Sequence, residues 1–142
     1  MSGAEVTGAG LSGAGVSVRF EGYAARFDRV DRAGDVMRAG AFGAVDPVPL
    51  LLAHRGAPVG AIETIGEDAD GLRVTGRIDD PDLALLVRRG AVAGLSVGYR
   101  PLAVRQGARR ELLRVTLVEV SLVAVPMQPH ARISRVFGTD DR

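Results

Sequence analysis

The stretch ELLRVTLVEVSLVAVP, residues 111–126, constrains this chain more than any other. It is rich in Val and Leu, and β-branched residues such as Val lose side-chain freedom in a helix and pack well on a pleated surface. The run ends at Pro126, which cannot continue a strand ladder. The pattern predicts a long strand, and a long strand needs partners. Elsewhere the apolar residues come in short runs between turn residues, and none approaches the ~18 consecutive apolar residues of a membrane span. With 142 residues and 46% hydrophobic content, the chain fits one core-forming domain of ~100–150 residues.

Residues 1–15 are rich in Gly, Ser and Ala and read as a flexible N-terminal arm; a domain is expected over 16–135 and a C-terminal tail over 136–142. VSVRFEGYAARF, 16–27, reads as the first strand. DRVDRAGDVMRAGAFGAV, 28–45, reads as a polar, Gly-rich loop with room for one helical turn. VPLLLAH, 48–54, is a short buried strand ending at His54. Two further strands, PVGAIETIGED over 58–68 and GLRVTGRI over 71–78, are joined as a hairpin at Asp70-Gly71. One helix is expected after Asp80 as N-cap, with Pro81 in its first turn, a stripe of Leu83, Leu86 and Val87, and Gly90 closing it. GLSVGYRPL, 94–102, is a strand stopped by Pro101. The expected class is mostly β with helices, a closed or partly closed sheet with helices packed outside.

Charge and composition exclude several functions. Eighteen basic and seventeen acidic residues are interspersed, for a net charge of +1, so no nucleic-acid footprint is expected. Cysteine is absent, which rules out disulfides, thiol catalysis and Cys-ligated zinc. No GxxxxGK phosphate loop occurs, and Asp28, Asp31 and Asp35 do not match a Ca²⁺ loop, so neither cofactor nor metal is expected. The opening MSGAEVTGAG lacks the basic and apolar regions of a secretory signal, and a soluble, cytoplasmic protein is expected.

Three polar residues carry candidate chemistry. Ser96 lies between Gly94 and Gly98, which share its face of a strand while Leu95, Val97 and Tyr99 take the other. Glycine weakens a strand unless another backbone or group comes close, so the bare face reads as access for a substrate backbone. His54 could act as base toward Ser96, since a serine hydroxyl is a poor nucleophile until an imidazole takes its proton. Glu119 is a charge inside the most apolar strand, and buried charges need partners; a histidine or an arginine would serve. Ser121, on the same face, is a weaker nucleophile candidate, and Arg109-Arg110 read as a solvated turn.

In order, GYAARFDRVDRAGDVMRAGAF (22–42), LLLAH (50–54), PVGAI (58–62), DADGLRVTGRI (68–78), GAVAGLSVGYRP (90–101) and LVEVSLVAVPMQPHARI (117–133) make a specific set. The sequence resembles the prohead maturation proteases of tailed phages, including those of prophages and gene-transfer agents, over roughly residues 16–135. The resemblance implies a herpesvirus-assemblin-like fold, an antiparallel β-barrel surrounded by helices. It implies a serine endopeptidase with Ser96 as nucleophile, His54 as base and Glu119 as third member, His130 being the alternative orienter. Implied substrates are scaffold segments, the N-terminal region of the major capsid protein and the protease itself, cleaved in the host cytoplasm inside the assembling procapsid. Self-association is a further implied property; nucleic acid and membrane are not implied partners. The competing reading is a non-catalytic capsid-assembly or scaffold module that keeps the barrel.

Overall fold

A computed structural model describes residues 18–138. Eight strands and one helix follow in the order β1 (Val18–Arg26), β2 (Asp35–Met37), β3 (Pro49–Leu52), β4 (Arg55–Glu67), β5 (Gly71–Ile78), α1 (Pro81–Arg88), β6 (Gly94–Gln106), β7 (Arg110–Val123) and β8 (Ile133–Gly138). The arm expected over 1–15 lies outside the described residues. Ladder pairing continues past residue 135, because β8 runs to Gly138 beside β1.

The long apolar strand is β7, and it organises the sheet. Its full length pairs antiparallel with β6. Its other edge is shared: β2 pairs in parallel at Arg110–Leu112, and β3 in parallel at Val120–Leu122. Between them the Val115 amide donates to Ala41 O at 2.9 Å. From β3 the sheet continues antiparallel through β4, β5, β1 and β8. The expected barrel is therefore loose. No continuous ladder joins β8 to β6; the gap is spanned where Leu95 N–H donates to Ala131 O and Ile133 N–H to Ala93 O, both at 2.9 Å.

The interior is built by period-two alternation. Val18 and Phe20 of β1, Leu72, Val74 and Ile78 of β5, and Val120 and Leu122 of β7 are all fully buried. Each such side chain contributes about 1.5–3 kcal/mol by leaving water. The expected surrounding helices reduce to α1 among the described residues. Its caps are those the sequence encodes. The Asp80 carboxylate accepts from Leu83 N–H, and the backbone turns at Gly90 (φ 78°), where Gly90 and Ala91 N–H return to Val87 and Leu86 carbonyls. Leu83, Ala84 and Val87 face the core, whereas Leu86 is exposed, so Ala84 takes the place in the apolar stripe that the pattern gave to Leu86.

Two local expectations are corrected. Residues 28–45 hold no helical turn; Asp35–Met37 form β2 because β7 offers an unpaired parallel edge there. Pro101 does not stop β6, which runs on to Gln106. β6 pairs with β7 alone along this stretch, so the amide that proline lacks costs no ladder bond on its free edge, and the register shifts just beyond it.

Candidate active site

The site forms where β3 turns into β4 over the C-terminal end of β7. β3 lies beside β7 with Leu50, Leu51 and Leu52 opposite Val120, Ser121 and Leu122. The chain then reverses in two residues, Ala53 and His54, before Leu52 pairs with Arg55. Both turn residues have positive φ, 52° and 65°. That is the type I′ hairpin requirement, normally met by Asn-Gly. For residues with a Cβ each left-handed conformation costs roughly 1–2 kcal/mol. Two bonds to β7 hold the turn in place: Ala53 N–H to Leu122 O at 2.9 Å, and His54 N–H to Ser121 Oγ at 3.0 Å. His54 is thus not a strand end, as its apolar run suggested, but half of a strained turn.

The turn sets the His54 ring over Glu119. Nδ1 and Glu119 Oε2 are 2.6 Å apart, the geometry of a charge-assisted hydrogen bond. The other carboxylate oxygen, Oε1, accepts from Ser121 Oγ at 2.6 Å. Glu119 is therefore doubly bonded although its side chain is only 9% exposed, while that of His54 is 43% exposed. The buried charge that stood out in the sequence has a histidine partner rather than an arginine.

Glycine at 98 makes room for this carboxylate. Gly98 lies opposite Glu119 in the β6–β7 pairing, and a Cβ there would run into the carboxylate, 2.8 Å from Cδ. At Gly94 a Cβ would stand 2.7 Å from Val123 O and 2.9 Å from Pro126 Cδ. Beside Ser96 the two glycines are therefore met from within, Gly98 by Glu119 and Gly94 by the chain leading to Pro126, while Ser96 between them borders a cavity.

Ser96 lies opposite Ser121, with Glu119 next along the same face. It is buried to 7% exposure, and its hydroxyl makes no hydrogen bond among the described residues. Ser96 and His54 line one cavity of about 150 Å³, which Tyr99, Asp31, Asp35 and Met127 also border. Burial pushes the Tyr99 phenol upward, and the nearby Asp35 and Asp31 carboxylates push it further. Asp31 is engaged in its loop, where its Oδ1 accepts from Ala33 and Asp35 N–H.

The structure thus brings Ser96, His54 and Glu119 to one place. His130 is elsewhere: it is exposed, does not border the cavity, and makes no hydrogen bond or ion pair among the described residues. Ser121 is not placed as a nucleophile. It is fully buried and its proton goes to Glu119. Its spacing of two from Glu119 was the available signal, since such residues share a strand face. The Ala53-His54 turn carried no Gly or Asn to announce it.

An imidazole braced by a buried carboxylate and facing the same cavity as a serine is the arrangement on which serine proteases are built. The chain belongs to the Caudovirus prohead serine protease family, whose model matches residues 6–140. It is 33% identical over 101 residues to the prohead protease of Enterobacteria phage HK97, a match covering 63% of this chain and 45% of that protein. The chain thus spans about half the length of that relative. Its fold is similar to that of varicella-zoster virus protease, with a TM-score of 0.56, 14% identity, and coverage of 84% of this chain and 64% of the other. KSHV protease in complex with a hexapeptide phosphonate inhibitor gives a TM-score of 0.51 at 14% identity, covering 88% of this chain and 66% of the other.

Proposed function

We propose that this chain is a serine endopeptidase of phage-like head maturation, with Ser96 as nucleophile, His54 as general base and Glu119 as the orienting acid. The observation that carries this reading is the 2.6 Å contact between His54 Nδ1 and a buried Glu119 carboxylate, at the cavity that Ser96 also lines. With the Nδ1 proton donated to Glu119, the lone pair on Nε2 is free to take a proton from Ser96 Oγ. Oγ then bonds to the scissile carbonyl carbon, and the carbonyl π electrons move to oxygen. Collapse of this intermediate expels the amine, which takes the proton from Nε2. Water, deprotonated by the same nitrogen, releases the acyl group and restores Ser96. The exposure of the ring lets it serve both steps without leaving Glu119.

The substrates in this reading are scaffold segments, the N-terminal region of the major capsid protein and the protease itself, met inside the assembling procapsid. The name of the HK97 relative and the family membership support it. Co-expression with the cognate capsid protein, followed by mass analysis of fragments, tests it. Ser96→Ala should abolish cleavage and leave the fold intact. Glu119→Gln should lower turnover about 10³–10⁴-fold by favouring the wrong imidazole tautomer, whereas His130→Ala should change it little. Cleavage by Ser96→Ala at the normal rate would overturn the assignment.

A further inference from the structure

Five polar atoms at the turn form a closed ring. His54 N–H donates to Ser121 Oγ at 3.0 Å, Ser121 Oγ donates to Glu119 Oε1 at 2.6 Å, and Glu119 Oε2 lies 2.6 Å from His54 Nδ1. The direction of each bond is fixed by chemistry. A backbone N–H can only donate, so the Ser121 oxygen must accept there, and its single proton is left for the carboxylate. That leaves Glu119 Oε2 to accept from the ring.

We infer that Ser121 is a positioning residue, tying the His54 backbone to Glu119 so that backbone, carboxylate and imidazole hold one geometry. The inference rests on the reading of Ser96 and His54 as nucleophile and base. Two features argue for it beyond the contacts themselves. The Ala53-His54 turn is left-handed at both residues without glycine, so it persists only where the surroundings fix it. Of the two bonds that do so, one uses a backbone carbonyl any sequence would supply, and the other uses Ser121 Oγ. Glu119 also has freedom at three side-chain torsions; the Ser121 hydroxyl holds the oxygen that His54 does not. A residue in the third rank from the reacting bond thus sets both the height of the ring and the tautomer.

The test combines turnover with a readout independent of cleavage. In Ser96→Ala protein, ¹⁵N shifts of the neutral His54 ring report which nitrogen carries the proton. We expect Nδ1–H in that background and a mixture with Nε2–H once Ser121→Ala is added. In the active protein, Ser121→Ala should lower kcat about 100-fold, the scale of a small misplacement of a reacting group, with KM little changed. Should the alanine variant fail to fold, Ser121→Cys fills the same space with a weak hydrogen-bonding group and is held to the same two measurements. An unchanged ring tautomer in the folded variant overturns the inference, whatever happens to kcat. Failure of the protease reading would show separately, as cleavage surviving in Ser96→Ala.

Discussion

At the scale of single residues, the site is a matter of who occupies the space beside whom. Gly98 shows this most directly. Alanine there would place a methyl group against the Glu119 carboxylate, and the carboxylate is already held from two sides by His54 and Ser121. It has nowhere to retreat. Gly98→Ala should therefore destabilise the protein by about 1–3 kcal/mol, the usual cost of overpacking, and lower activity more than its stability explains. Urea unfolding and steady-state kinetics on the same preparation check both parts; a variant of unchanged stability and turnover would mean that the carboxylate has room. Much at this scale was legible. Ser96, His54 and Glu119 stood out as polar residues in apolar surroundings. The partner of Gly98 did not, because a bare strand face looks the same whether substrate or a neighbouring side chain fills it.

Among elements, local and non-local encoding separate cleanly. Helix α1 starts after Asp80 and stops before Gly90 because capping chemistry acts over four or five residues of the same segment. The β3–β4 turn is the opposite case. Ala53 and His54 have no intrinsic preference for positive φ, and β7 imposes it through Leu122 O and Ser121 Oγ. Ala53 is exposed, so its methyl group contributes little packing. Replacing it with glycine should remove part of the left-handed penalty and stabilise the fold by about 1 kcal/mol. The expected result is a higher urea midpoint for Ala53→Gly with an unchanged slope; a lower midpoint would mean that the turn is not strained. Strand β2 was illegible for the same reason as the turn. Three residues of mixed character become a strand only because β7 presents an edge to pair with.

For the whole molecule, the two ends of β7 are tied differently. The far end from the site is held by charge. Glu111 accepts from Arg105 of β6 and from Arg38, just after β2, at distances of 2.7–3.1 Å. These guanidinium groups, Arg105 first and Arg38 second, pull the Glu111 carboxyl down from its ordinary 4.5 to about 2. A carboxyl lowered on folding binds fewer protons in the native state than in the unfolded one, so stability rises with pH across that interval. Its contribution is complete above about 4.5 and is lost as pH falls toward 2. Denaturation of wild-type protein and Glu111→Gln over this range should show a stability gap that is open near neutrality and closes toward pH 2. A gap independent of pH would show that packing rather than charge holds that corner.

The sequence by itself determined the class of fold, the helix with both its caps, and the three polar residues around which the site forms. These follow from period-two burial, capping over a few neighbouring residues, and the cost of polar groups in apolar runs, all of which act locally. Only the tertiary structure decided that the sheet stays loosely closed, that His54 sits in a left-handed turn, that Gly98 makes room for Glu119, and that Ser121 links the turn to the carboxylate. Each of these depends on which strand lies beside β7 and in what register. That choice is made by contacts between residues some 20–70 positions apart, and a single chain read in order does not display them.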